Sequence, residues 1–119
     1  MNECEETERP ENAEDLAFLP ASDLLALLRA RKIGSEELLQ IYVERIERLN
    51  PPINAIIALD LDRAFEAARQ ADRYSSGSAP EAPLAGLPMT VKESYGARGM
   101  RTSCGLPFLA GNISQPTRV

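Results

Sequence analysis

The sequence predicts an α/β protein with an incomplete sheet, in the order helix–helix–strand–helix–strand. Three observations lead there. Two stretches, Ser22 to about Gly34 and Ser35 to Leu49, place apolar residues at helical spacing. Two short apolar runs, Asn54–Leu59 and Met89–Lys92, are bounded by turn residues and have the length of buried strands. A third helical pattern lies between those runs. Strand–helix–strand makes a right-handed crossover the expected topology, with both strands in one parallel sheet.

The first helix carries Leu24, Leu25, Leu27 and Leu28, with Ser22 as its expected cap and its end near Gly34. Ser35 is expected to cap the second, with Glu36 and Glu37 in the first turn, where the helix dipole favours acids. Leu38, Leu39, Tyr42, Val43, Ile46 and Leu49 follow a three–four spacing, and Glu44 and Arg48 share the wet face at a favourable four-residue separation. Asn50-Pro51-Pro52 ends it. An amphipathic helix of this kind could dock on a partner. An apolar stripe is what any core-facing helix shows, so packing is the reading adopted.

The run NAIIAL, 54–59, lacks alternation and reads as a strand buried on both faces. The third helix, about Leu61 to Tyr74, turns Leu61, Ala64, Phe65, Ala68 and Ala71 inward, and its alanines let it lie close to a sheet. SSGSAPEAP, 75–83, is an exposed connection. Two strands and three helices make a poor core, because a parallel pair needs cover on both faces and more strands beside it. Residues 16–119 therefore read as the opening part of an α/β domain, preceded by an acidic, disordered leader at 1–15.

The net charge of −5 is unevenly placed. Residues 1–15 hold seven acids (Glu3, Glu5, Glu6, Glu8, Glu11, Glu14, Asp15) and one base, Arg9, leaving eleven acids and twelve bases in the rest. Such an acidic block is solvating and is not a binding face. No basic patch with interleaved aromatics points to nucleic acid. The N-terminus has neither a basic start nor an apolar core, so a secretory signal is not expected, and no run approaches the ~18–20 apolar residues of a membrane span. Cys4 and Cys104 lie a hundred positions apart and form neither a metal-spaced pair nor an expected disulfide. A cytoplasmic protein follows, in which the Asn112-Ile113-Ser114 sequon has no glycosylation role.

The sequence contains no histidine. That removes Ser-His-Asp and Cys-His nucleophile activation and imidazole metal ligands. No phosphate-cradling loop or dinucleotide fingerprint occurs, and no cofactor is expected. A lysine or a carboxylate must carry any catalysis. Lys92 is the candidate, at the end of an apolar run between a Gly/Pro-rich segment and a Gly-, Ser- and Thr-rich one. The plain alternative is a solvated edge residue that blocks aggregation. Lysine acts as a base only when burial or a cationic neighbour lowers its pKa from about 10.4 towards about 7. The carboxyl end of a buried strand, under a polar loop, is where open α/β sheets place such sites.

The stretch PLAGLPMTVKESYGARGMRTSCG, 83–105, resembles the start of the amidase signature family. Gly86, Leu87, Pro88, Val91, Lys92 and Glu93 match its G-[LI]-P-x-x-[VI]-K-[DE] motif, and Thr102, Ser103 and Gly105 match the T-[ST]-x-G turn that follows. The resemblance covers about residues 16–118. It implies an α/β/α sandwich and a relay in which the lysine exchanges a proton with a bridging serine held in a cis peptide. That serine activates a second, nucleophilic serine, and Gly/Ser-rich backbone N–H groups form the oxyanion hole. Carried onto this sequence, only the lysine is present, as Lys92. The two serines and the oxyanion loop are expected beyond Val119, so residues 16–119 would be a truncated N-terminal part of an amidase domain.

The resemblance implies a small carboxamide as substrate where the full domain is present, while the composition gives no evident nucleic-acid contact and no membrane span. Thr102 and Ser103 read first as hydroxyls that satisfy loop backbone groups, with a substrate-loop role as the alternative. Glu93 stands where the family has Asp or Glu and can hydrogen-bond the nearby loop. Ser94 lies two positions past Lys92, and Ser75, Ser76 and Ser78 around Gly77 imitate a Ser/Gly signature but read as linker. Cys104 reads as packing, since no histidine is present to activate it. Two rival readings stand beside the amidase. One is the A subunit of a tRNA-dependent amidotransferase, towards which Thr102-Ser103-Cys104 points and from which VKES, 91–94, points away. The other is a non-catalytic remnant or binding module.

Overall fold

The helical periodicities are realised as helices; the apolar runs do not become strands. A computed structural model describes residues 7–74 and 82–115. Among the described residues there are four α-helices: α1 (Ala13–Leu16), α2 (Ala21–Arg29), α3 (Ser35–Leu49) and α4 (Leu61–Arg73). Two single 3-10 turns follow, Glu93–Tyr95 and Pro107–Leu109. The chain divides into two compact units, one spanning 1–55 and 61–88, the other 56–60 and 89–119.

The first unit is a helical cluster around Leu16, Leu24, Leu27, Ile33 and Leu38, with Leu19, Leu28, Ile41, Tyr42 and Leu87 packed against it. Burying a leucine contributes about 1.5–3 kcal/mol relative to leaving it exposed, so the fully buried Leu16, Leu27 and Leu38 are its chief apolar anchors. Asn12 caps α1 by accepting from the Glu14 N–H. The helix α2 stops earlier than expected, at Arg29. Arg31 takes a left-handed conformation at φ 55°, the Lys32 N–H donates to the Leu27 carbonyl at 2.9 Å, and the Arg31 N–H donates to Leu28 at 3.1 Å. This is the Schellman arrangement, which satisfies the last carbonyls without a glycine. Ser22 lies inside the first turn of α2, after an N-cap at Pro20, and is not its cap.

The cap of α3 is also not the expected one. Ser35 is the first helical residue, follows an N-cap at Gly34 that supplies no side-chain bond, and is buried. Its N–H donates to Asp72 Oδ1 at 2.6 Å, and the Glu36 N–H donates to Asp72 Oδ2 at 3.0 Å. The Ser35 hydroxyl donates to the Gly86 carbonyl at 2.6 Å. A carboxylate near the end of α4 thus takes the place of a local cap, and α3 and α4 pack together, each with a buried small apolar residue, Val43 and Ala68. On the surface Gln40 donates to Glu44, while Arg48 pairs with Glu14 on α1.

Of the expected 1–15 leader, residues 1–6 lie outside the described residues. Arg9 pairs with Glu37 and donates to the Lys32 carbonyl, and Lys32 Nζ donates to the Thr7 carbonyl at 3.0 Å. Of the 75–83 connection, residues 75–81 lie outside the described residues, as does Cys4.

Neither 54–59 nor 89–92 belongs to a strand, and the expected crossover of two parallel strands is absent among the described residues. Asn54 is a turn residue at φ 51°, its N–H donating back to Asn50, so the NAIIAL run does not begin as a strand. Ile57 and Leu59 are half exposed, and Met89 and Val91 more than half. An apolar run becomes a strand only when neighbouring strands take up its N–H and C=O groups. Among the described residues the ladder element that does form is one antiparallel bridge, Arg101 with Ile113. Among the described residues no helix is long and apolar enough to cross a membrane.

Removing the Asp72 carboxylate leaves two N–H donors at the start of α3 without their acceptor. Asp72→Ala should therefore lower unfolding free energy by about 1–2 kcal/mol, the cost of losing a helix cap. Urea unfolding followed by circular dichroism checks it, and an unshifted midpoint would show that Asp72 is not the cap that matters.

Candidate functional site

The backbone around Lys92 decides where its side chain goes. Lys92 is the N-cap of the 3-10 turn Glu93–Tyr95, with φ −62° and ψ 135°. The Tyr95 N–H donates to the Lys92 carbonyl and the Gly96 N–H to the Glu93 carbonyl, both at 3.0 Å. Lys92 is exposed in this turn while Glu93 is half-buried. The burial expected for Lys92 is therefore absent. The run before it forms no strand, and Met89 and Val91 are themselves exposed.

Glu93 turns towards the Thr-Ser-Cys-Gly loop. Its Oε1 accepts from the Ser103 N–H at 2.6 Å and from the Ser103 hydroxyl at 3.1 Å. These bonds hold its carboxyl below the usual carboxylate range, the Ser103 backbone N–H first, against a smaller opposing effect of burial. The backbone N–H of Cys104 and the charge of Arg101 act in the same direction.

Thr102 and Ser103 have separate partners. Thr102 Oγ1 lies 2.6 Å from Ser114 Oγ, its N–H donates to the Asn112 carbonyl at 2.9 Å, and Asn112 Nδ2 donates to the Thr102 carbonyl at 2.9 Å. The Ser114 N–H donates to Met100 and the Gly99 N–H to Ser114, each at 2.9 Å. The two strand-like arms, 99–102 and 112–114, thus form a short hairpin. Both hydroxyls bond side chains, Thr102 with Ser114 and Ser103 with Glu93, in place of the loop backbone groups expected of them. Ser94 is exposed, Cys104 is an exposed free thiol, and Ser75, Ser76 and Ser78 lie outside the described residues.

Ser114 and Asn112 do not stand out in the sequence as site residues, because Asn112-Ile113-Ser114 reads first as a sequon. The signal that points to them is the turn-forming Gly111 between the apolar run LPFLA, 106–110, and the polar Asn112 and Ser114. Gly96 completes the arrangement. It sits at φ 66°, and a Cβ there would lie 2.8 Å from Ser114 Oγ. Only glycine meets both demands.

The family model described as Amidase matches residues 37–117. That range includes Lys92, Glu93, Thr102, Ser103, Gly105 and Ser114. The chain belongs to the amidase signature family. It is 45% identical over 94 residues to the A subunit of glutamyl-tRNA(Gln) amidotransferase from Aromatoleum aromaticum, covering 78% of this chain and 19% of that protein. The protein of the same name from Dechloromonas aromatica is 39% identical over 93 residues, covering 77% of this chain and 19% of its own. That from Acidothermus cellulolyticus is 35% identical over 99 residues, covering 83% and 20%. The chain spans about a fifth of the length of these relatives.

Gly96→Ala should loosen the hairpin, combining the roughly 1–2 kcal/mol cost of a left-handed non-glycine residue with the close approach to Ser114. Amide exchange at Gly99, Thr102 and Ser114 should quicken, and adding Ser114→Ala should recover part of the loss. Unchanged exchange in the single variant would contradict this role for Gly96.

Proposed function

We propose that this chain is the lysine-bearing segment of an amidase signature enzyme that acts in the cytoplasm on a small carboxamide. Lys92 is the relay base for cleavage of the C–N bond. The observation that supports it is the G-L-P-M-T-V-K-E run, 86–93, inside the family match, with its lysine presented by a hydrogen-bonded turn. In the reaction the family resemblance implies, neutral lysine takes a proton from a bridging serine. The bridging serine takes one from the nucleophilic serine, whose oxygen attacks the amide carbonyl. The departing nitrogen leaves with a proton returned along the same relay. Lysine suits this work because its ammonium can lose a proton, which a guanidinium cannot.

A second reading is favoured by the names of the relatives, which are amidotransferase A subunits. On that reading the amide is glutamine and the ammonia is passed to a further acceptor. The lysine chemistry is the same in both, and the difference lies in where the ammonia goes.

By itself the 119-residue chain should not hydrolyse simple carboxamides, because the relay serines of the family pattern are not matched in it. Turnover by the purified chain that disappears in Lys92→Ala would contradict this.

In a full-length enzyme carrying this segment, Lys92→Ala and Lys92→Arg should each lower turnover by at least the ~10²–10⁴ typical of general acid–base groups. An edge residue that only guards against aggregation would leave the arginine variant as active as the parent. An active arginine variant would therefore end the catalytic assignment.

A further inference from the structure

We infer that Glu93 is a positioning residue: its carboxylate is the anion around which the Thr102–Gly105 loop is shaped, tying that loop to the turn that carries Lys92. The loop needs such a tie. Cys104 lies at φ 50° and Gly105 at φ 72°, two successive left-handed residues, and the Leu106 N–H closes the turn onto the Ser103 carbonyl at 2.9 Å. Glycine adopts this conformation freely, whereas cysteine does so at a cost that its surroundings must offset. Successive backbone N–H groups in a turn of this kind make a concavity that accepts an anion. Glu93 supplies the anion from within the chain, accepting from the Ser103 N–H at 2.6 Å and the Ser103 hydroxyl at 3.1 Å.

The same residue belongs to the turn 92–96, whose Gly96 N–H donates to the Glu93 carbonyl. The side chain of Glu93 therefore grips the loop while its backbone sets the turn beside Lys92. The motif pairing of lysine with an acidic neighbour gains a physical reason: one residue is presented outward, and the next locks the presenting turn to the following loop. A contribution to amide chemistry rests on the function proposed above; the grip on the loop does not.

The pH dependence follows from the direction of the Glu93 shift. Its carboxyl lies below the ordinary value of 4.5, with Arg101 the charged group acting on it from the hairpin. The stabilising effect is complete above that ordinary value and is lost as pH falls through the lower, folded-state value.

Nitrogen–proton NMR of the full chain tests this. The Ser103 and Cys104 amide protons should shift together on acidification, with a common midpoint below the ordinary carboxyl value. Glu93→Gln should remove that titration and quicken exchange of both amides by roughly tenfold or more, as expected for loss of a charge-assisted bond. Exchange at Leu38 in α3 should be unchanged. Glu93→Asp, which keeps the charge, should keep a titrating Ser103 amide. A Ser103 amide that does not titrate in the parent chain, or that titrates unaltered in Glu93→Gln, would overturn the inference. The parent titration decides the matter even if the glutamine variant fails to fold. Lys92→Ala should leave the titration intact, so failure of the lysine relay and failure of this grip are told apart.

Discussion

Each of the two compact units depends on a carboxylate that accepts from backbone N–H groups distant in sequence. Asp72 binds the N–H groups of Ser35 and Glu36, and Glu93 binds the N–H and hydroxyl of Ser103. A helix begins with N–H groups that have no partner within it, and a tight loop leaves N–H groups pointing into a shared concavity. Bonds to an ionised acceptor are about twice as strong as neutral ones, so one side chain can hold such a group in place. At the start of α3 the effect spreads. With its N–H taken by Asp72, Ser35 turns its hydroxyl to Gly86 and lies buried. Three separate segments, the start of α3, the end of α4 and the turn at Gly86, meet at that corner.

The parts of this arrangement that are legible in the sequence are those in which one local period dominates. The three–four spacing of α3 and the alanine-rich face of α4 appear where the sequence puts them, and Leu24, Leu27 and Leu38 are core residues as the pattern demands. The end of α2 is not legible: a glycine is the usual left-handed residue at such a place, which points to Gly34, and Arg31 occupies that conformation instead. The cap of α3 is hidden because its acceptor lies 37 residues away. No window of sequence joins Ser35 to Asp72.

The failure of the strand assignment has a different cause. Asn54–Leu59 and Met89–Lys92 have the composition of buried strands, and composition says only that a segment would suit a sheet. Whether it becomes a strand depends on other segments that donate to it and accept from it. In the second unit those groups pair at Arg101–Ile113, in a hairpin built from residues chosen by turn chemistry: Gly96, Gly99, Cys104 and Gly105 at positive φ. The motif itself is legible at Lys92, because a family pattern records residue type and spacing directly. The partner that Glu93 selects is a matter of geometry, and the pattern does not record it.

Lys92 combines a fixed backbone with an exposed side chain, and both matter to the proposed role. A lysine becomes a base at neutral pH when its ammonium is taken out of water or set beside another cation. Neither the turn nor the clamp on Ser103 takes Lys92 out of water; they fix the place from which its chain departs. Close to it in the sequence, Met89, Val91 and Tyr95 are exposed large apolar side chains, at 61%, 55% and 81%. Under the proposed function, the surface that carries the relay serines also covers these apolar side chains, and the same contact takes the lysine out of water. Covering apolar groups is favourable and covering an ammonium is not, so the first offsets the second. An exposed lysine set among exposed apolar residues in the sequence thus has its backbone in position before anything covers it.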